Sequence, residues 1–446
     1  MKLFATRIGR PLVSRSKRSP TVLRASVSVS TVAAAAASMA AYSSVVSKLD
    51  AAADIPDEAH AAVHHVKGKD GKRVKFRNPH PSAGETTPSP LVMGPKIFWT
   101  LITGGMPWPD VSNVKLPVVK PSFLAARTEP TALRATWLGH ACYFVEFPGG
   151  LRVLFDPVFE DRCAPTQWVG PKRYTPPPCP LSDLPAVDAV VISHSHYDHL
   201  SHSSVLELAK RNPKAQFFVG LGLEKWFRSA GIVNVTELDW WQDADLVLRK
   251  EAGEGAGADA AAGKPQNAGA EGGGAPDTIS ARITCLPCQH SSGRTGVDQD
   301  TTLWASWAVK SGGKSVWFGG DTGYRKVPKV AVGLDDYGPE YDSLPRCPQF
   351  RQIGELRGPF DLGLIPIGAY HPRWLFSWMH ANPYDAVEIF KETRCKRAMG
   401  IHWGTWVLTS EEVEEPPKLL REALRTSGIP ETGVFDVCAV GETREF

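Results

Sequence analysis

His194-Ser195-His196-Tyr197-Asp198-His199 decides how this chain is read. Four of these six residues are metal ligands by chemical type. They lie too close together for a helix or a flat strand to aim them at one point, whereas a turn leaving a strand can do so. The preceding Ala189-Val190-Val191-Ile192 is short, apolar and β-branched, the pattern of a buried strand. The hexad therefore belongs on a loop at a strand's carboxyl end, where open α/β sheets gather their chemistry. Neutral imidazoles suit zinc and similar metals, and an interleaved carboxylate adds charge and a hard oxygen. A solvated histidine loop is the plain alternative. The Asp in register and the apolar strand behind it argue against that.

Working outward, ligand types recur at the ends of other apolar segments. His290 follows the strand-like 283–286 and opens His290-Ser291-Ser292-Gly293-Arg294. Asp321 follows Val316-Trp317-Phe318 in the turn Gly319-Gly320-Asp321-Thr322-Gly323, and His402 follows Ala398-Met399-Gly400-Ile401. Any one of them is an ordinary turn residue. Three together, added to the hexad, make the convergent set that a two-metal site needs.

The rest of the chain sets bounds. A length of 446 residues holds one large domain with extensions or two ordinary ones. Hydrophobic content of 42% with 22% charged residues fits a globular protein with a substantial core. Residues 1–50 carry eight Lys or Arg and a single acid, Asp50, while the remainder has 42 basic and 46 acidic residues. A body this mildly acidic gives no basis for nucleic-acid binding.

The first 50 residues read as an address. Arg7, Arg10, Arg15, Arg18 and Arg24 lie among many Ser and Ala, without an acid before Asp50, as in a mitochondrial transit peptide. The uncharged stretch 25–47 is long enough to span a bilayer but only weakly hydrophobic, so it reads as transit peptide or tether. The expected location is mitochondrial and membrane-associated. Eight cysteines do not suggest a disulfide framework. Cys285-Leu286-Pro287-Cys288 has no second C-x-x-C to complete a structural zinc site, and 282–286 reads as strand, where a redox motif wants a helix. The cysteines are best taken as small buried residues.

Residues 51–130 are rich in Pro and Gly and are expected to wrap the body with little regular structure. Within them 91–108 is apolar, with Ile97, Phe98, Trp99, Leu101, Ile102, Met106 and Trp108. It reads equally as a membrane-docking segment or as a strap on the body's own core. From 131 onward the pattern is that of the catalytic domain. Strands are expected at 133–138, 143–147, 152–155 and 216–220, and a helix around 205–211. Between Lys250 and Asp277 the chain is mostly Ala and Gly, and it cannot bury enough apolar surface to offset its ordering entropy. It is expected to be a disordered insertion between two strands.

At this point the sequence resembles the metallo-β-lactamase fold superfamily, whose hallmark is H-x-H-x-D-H with later His, Asp and His ligands. More narrowly it resembles the N-acylphosphatidylethanolamine-hydrolysing phospholipase D family. The similar segments are W-L-G-H-A at 137–141, D-P-V-F at 156–159, G-P-K-R at 170–173, 193–200, and L-D-W-W at 238–241. They continue with 290–294, 319–324, I-P-I-G-A-Y at 365–370 and I-H-W-G-T at 401–405. Together they cover about residues 115–420, in the family's order.

The resemblance implies an α/β fold, a four-layer αβ/βα sandwich. It also implies that His194, His196 and His290 hold one zinc, that Asp198, His199 and His402 hold a second, and that Asp321 bridges them. Two zincs about 3.5–4 Å apart would supply a hydroxide at neutral pH for in-line attack on phosphorus. N-acylphosphatidylethanolamine would then give N-acylethanolamine and phosphatidic acid. His380 resembles a substrate-contacting histidine of the family and is the candidate for polarising the leaving group or binding its amide. Met379 stands where the family often has Gln. Tyr197 either directs its hydroxyl at the phosphate or simply packs. His140 and His202 are expected to support the ligands or to be structural, and Arg294 to pair with phosphate or with an internal acid. The expected partners are a phospholipid and a membrane surface, with a homodimer compatible. The alternative function is hydrolysis of another phosphodiester or a lactone on the same scaffold.

Overall fold

Successive residues of the strands bury opposite faces, and that alternation builds the layers. Trp137, Tyr143, Val153, Phe155, Val191 and Phe218 enter the large central core, while Leu138, Phe144, Leu154, Val190, Phe217 and Val219 enter a second cluster on the other side. The computed structural model describes residues 42–49, 54–84, 99–100, 106–127, 130–251, 276–331 and 336–446.

These strands belong to a seven-stranded sheet in the order Thr443–Glu445, Arg134–Gly139, Cys142–Glu146, Arg152–Phe155, Ala189–Val191, Gln216–Gly220 and Val235–Leu238. Its pairings are antiparallel as far as Arg152–Phe155 and parallel beyond. The second sheet has eight strands, in the order Tyr42–Lys48, Asp243–Lys250, Thr278–Leu286, Ser306–Ser311, Lys314–Phe318, Phe360–Pro366, Cys395–Ile401 and Phe435–Asp436. It changes from antiparallel to parallel at Lys314–Phe318. Inner faces meet where Phe155 and Phe318 place their rings 4.8 Å apart, and where Trp307 Nε1 donates to the Ile192 carbonyl at 3.1 Å.

Helices close both outer faces. His202–Arg211 and Glu224–Ser229 bury Val205, Leu208 and Phe227 against the seven-stranded sheet. Gln349–Leu356, Pro383–Glu392 and Glu415–Thr426 contribute Phe350, Ile353, Val387, Ile389, Leu420 and Leu424 to the core shared with the eight-stranded sheet. Each such fully buried side chain contributes roughly 1.5–3 kcal/mol. The four-layer αβ/βα sandwich expected from the sequence is the fold that forms. Two helix starts matter for the site. The Ser201 hydroxyl accepts the Ser204 N–H at 3.2 Å, and the Asn382 side chain accepts the Asp385 N–H at 3.0 Å with Pro383 in the first turn. Each cap halts the chain two residues after a site histidine, His199 or His380.

Within residues 1–50, Tyr42–Lys48 forms an edge strand paired antiparallel with Asp243–Lys250, with Val45 opposite Val247. Its adjacent Val45 and Val46 among three serines do not stand out from the Ala- and Ser-rich run before them. The described residues of the extension that follows include short elements: the helical turn Asp57–His60, the hairpin of His65–Lys67 with Arg73–Phe76, and the turn Pro81–Ala83. Of the apolar segment 91–108, residues 91–98 and 101–105 lie outside the described residues. So do 252–275 of the Ala- and Gly-rich insertion, which joins the paired strands Asp243–Lys250 and Thr278–Leu286. All eight cysteines are free, and all but Cys438 are buried. No helix among the described residues is long and apolar enough to cross a membrane.

Candidate metal centre

Every ligand-type residue singled out in the sequence leaves the carboxyl end of a strand, and the two sheets contribute from opposite sides. The hexad follows Ala189–Val191 in the seven-stranded sheet. His290, Asp321 and His402 follow Thr278–Leu286, Lys314–Phe318 and Cys395–Ile401 in the eight-stranded sheet. All seven expected ligands come together.

They form two linked groups. His194, His196 and His290 converge, with His196 Nδ1 2.8 Å from His194 Nε2 and 3.2 Å from His290 Nε2. Asp198 Oδ2 gathers the other group, at 3.3 Å from His402 Nε2, 3.4 Å from His199 Nε2 and 3.1 Å from His140 Nε2. His140 thus faces the ligand Asp198 directly. Asp321 lies between the groups. Its Oδ1 is 3.2 Å from His199 Nε2, and its Oδ2 is 3.0 Å from His402 Nε2, 3.6 Å from His290 Nε2 and 4.0 Å from His194 Nε2. That is where the resemblance expects a carboxylate shared by both groups.

The imidazoles are oriented from behind. Asp156, directly after strand Arg152–Phe155, places Oδ2 2.6 Å from His199 Nδ1 and accepts the Ser193 N–H and hydroxyl at 2.7 and 2.5 Å. The Ser193 hydroxyl is also 2.9 Å from His194 Nδ1. His290 Nδ1 lies 2.9 Å from the Met379 carbonyl. Backbones turn sharply here: Asp156, His140 and His402 have φ of 38°, 52° and 63°. Such left-handed non-glycine residues cost on the order of 1 kcal/mol each and collect at functional sites.

Charge is divided within the cluster. Burial, with the neighbouring imidazoles, holds His194 well below the ordinary histidine range, and burial does the same to His290. Burial also disfavours charge on His199 and His402, yet the surrounding carboxylates, Asp321 above all, outweigh it. His199 is held well above the usual range and His402 is pushed up to about 9. The centre therefore calls for positive charge beside Asp198 and Asp321. His199 Nε2 and Asp321 Oδ1 are buried without a hydrogen-bond partner, the orphaned polar atoms that a cation would satisfy. Nitrogen and carboxylate donors of this kind suit zinc and other divalent transition metals. These residues fit a metal centre.

The remaining candidates sort themselves by position. His380 is buried beside the centre, with Nδ1 3.8 Å from Asp321 Oδ2. Tyr197 turns out of the ligand set, with the Arg294 guanidinium 4.0 Å over its ring. Arg294 donates to the carbonyls of Ser195 and Leu200 at 2.8 and 2.6 Å, so it braces the ligand loop. Tyr197 and Arg294 line a cleft of about 490 Å³ with Trp226, His202, Arg162 and Asp298. His202 meets Trp226 edge-on and stands apart from the ligands. A third His–Asp group, His64, His65 and Asp239, is a clasp. Each carboxylate oxygen faces one imidazole, at 2.7 and 2.8 Å.

Sequence reasoning gave no separate role to Asp156, although the strand-end rule that found His290 applies to it equally.

A family profile described as Beta-lactamase superfamily domain matches residues 151–403. The chain is 39% identical over 300 residues to N-acyl-phosphatidylethanolamine-hydrolyzing phospholipase D 1 of Caenorhabditis elegans, covering 66% of this chain and 70% of that protein. It is 36% identical over 313 residues to an uncharacterized protein of Mycobacterium tuberculosis, covering 69% and 68%. It is also 30% identical over 287 residues to the mitochondrial N-acyl-phosphatidylethanolamine-hydrolyzing phospholipase D of Saccharomyces cerevisiae, covering 64% and 50%.

Proposed function

The chain belongs to the N-acylphosphatidylethanolamine-hydrolysing phospholipase D family of metallo-β-lactamase-fold hydrolases, and from that premise we propose which substrate this metal-dependent phosphodiesterase takes. The substrate is N-acylphosphatidylethanolamine, cleaved to N-acylethanolamine and phosphatidic acid, and the metals are two zinc ions. The observation that carries this reading is the convergence of His194, His196, His290, Asp198, His199 and His402 around Asp321 in a chain 39% identical to a relative named for that substrate.

His194, His196 and His290 would hold one ion, and Asp198, His199 and His402 the other, with Asp321 shared. When bound, such a pair supplies a nucleophile from water at neutral pH and positive charge for phosphodiester oxygens. The protein's part is to hold the ligands still, through Asp156, Ser193 and the Met379 carbonyl, and to shape the cleft. His380, beside Asp321 and next to Met379, would meet the leaving group or its amide. Tyr197, braced by Arg294, presents its ring to the cleft.

A lipid substrate is supported by the surface around that cleft. Trp168 and Val169 are 89% and 75% exposed on the loop 163–171, whose base is closed by pairing of Arg162 with Lys172. Val297, 89% exposed, stands between cleft residues Thr295 and Asp298. A tryptophan held out in water at the edge of a cleft suits the interface of a bilayer. Mitochondrial location is supported by the basic amino-terminal segment and by the yeast relative named mitochondrial.

The test uses the full chain loaded with zinc and phosphatidylcholine vesicles containing N-acylphosphatidylethanolamine. Release of N-acylethanolamine and phosphatidic acid, abolished by a chelator and by Asp321→Asn, is the expected result. Zinc-loaded protein that leaves this lipid intact and cleaves a soluble phosphodiester or a lactone would overturn the substrate assignment.

A further inference from the structure

We propose that Asn78, from the amino-terminal extension, is a positioning residue for His290 and so sets the affinity of the metal held by His194, His196 and His290. Its side-chain amide pairs with both backbone groups of His290. Nδ2 donates to the His290 carbonyl at 2.8 Å, and Oδ1 accepts the His290 N–H at 3.2 Å. An amide used this way imitates a neighbouring strand and fixes the peptide planes on either side of the histidine Cα. Together with the contact from Nδ1 to the Met379 carbonyl at 2.9 Å, the residue is held at its N–H, its carbonyl and its ring. Only Nε2 is left to face His196 and Asp321.

The segment that carries Asn78 is itself fastened at several points around the same loop. Phe76 is buried in the core, and its N–H donates to the Asp300 carbonyl at 2.7 Å. Upstream, His64 and His65 clasp Asp239. Downstream, the Ser82 hydroxyl donates to Gln289 Oε1 at 2.6 Å, one residue before the ligand, and the Ser82 carbonyl accepts from Gln289 Nε2 and the Lys326 N–H. Asn78 is therefore held on a rigid support, as a residue that aims a ligand must be. His64, His65, Phe76, Asn78 and Ser82 all lie before residues 151–403, the span matched by the family profile, while the groups they fasten to lie within it. The extension supplies a brace for a ligand that the catalytic domain provides.

This inference rests on the metal-centre reading and not on the identity of the substrate, so its test reads metal retention alone. Full-length protein loaded with zinc is dialysed against graded chelator, and bound zinc per chain is measured by elemental analysis. Residues that orient metal ligands typically contribute 10–100-fold to affinity. Asn78→Ala should release one of its metals at chelator concentrations about 10–100-fold lower than the parent, with the second metal retained. Asn78→Asp keeps the shape and the acceptor but loses the donor, and should fall between; it also carries the test if the alanine variant does not fold. Val74→Ser, an exposed change in the same hairpin, should follow the parent curve. Release curves for both Asn78 variants that overlay the parent, or that weaken both metals in parallel, would overturn the proposal.

Discussion

Asp156 and His199 share a buried 2.6 Å contact between carboxylate Oδ2 and imidazole Nδ1. The carboxylate fixes the ring so that Nε2 faces Asp198 and Asp321, and it makes the imidazole a better ligand. In Asp156→Asn one oxygen becomes an NH₂ that cannot accept, while three donors from Ser193 and His199 still point at the group. Zinc affinity should fall about 10–100-fold, read by competition with a chromophoric chelator. Unchanged affinity would show that His199 is held by its loop alone.

Gly368 faces the carbonyl of His402. A methyl group added there would lie 2.3 Å from that oxygen, far inside van der Waals contact. Gly368→Ala must therefore push the backbone of His402 away, at about 1–3 kcal/mol. The melting temperature and the retention of the metal held by Asp198, His199 and His402 should drop together. A variant with a lower melting temperature but full metal content would separate packing from ligand placement.

Asp300 supplies the pH test. Burial, only partly offset by the Ser292 N–H and by Lys75, pushes its carboxyl up to about 6. The folded value is raised above the unfolded one, so the protonated form favours the native state. That contribution is fully present below about pH 4 and is lost as pH rises through about 6. Asp300→Asn keeps the carbonyl that accepts the Ser292 N–H and tolerates the φ of 59°. Relative to the parent it should gain on the order of 1–3 kcal/mol at pH 8 and little at pH 4.5, measured as denaturant midpoints. An equal gain at both values would remove ionisation from the account.

The exposed loop tip predicts a split between membrane and soluble behaviour. Changing Trp168 and Val169 together to Ser touches no residue of the metal centre. Vesicle binding by co-sedimentation should weaken at least tenfold, since two apolar side chains that would enter the interface are lost. Turnover of substrate dispersed in detergent should stay within about twofold. Equal losses in vesicles and detergent would point to a role inside the cleft.

Much of this centre was legible because every expected ligand follows an apolar segment. His290, Asp321 and His402 are separated by long intervals of sequence, yet each obeys the rule that decided the hexad. His140 was legible only as a support. Its approach to Asp198 depends on a left-handed turn at Gly139 and His140, a conformation that the W-L-G-H string does not announce. Asn78 was not legible at all. An Asn before Pro in a Pro-rich stretch reads as an ordinary turn residue. Its role arises from a chain that folds back across a separation of 212 residues to bring it against His290. The same holds for Tyr42–Lys48, whose strand identity comes from the partner it meets and not from its own composition.

That edge strand limits how the chain can be processed. A cut upstream of Tyr42 would leave this strand in place. A cut beyond Lys48 would strip a seven-residue ladder and leave Asp243–Lys250, with Leu246, Val247 and Leu248, as a bare sheet margin. Unpaired margins of this kind recruit strands from other molecules. Loss of Tyr42–Lys48 would therefore uncover a hydrogen-bonding seam open to a strand of a second molecule.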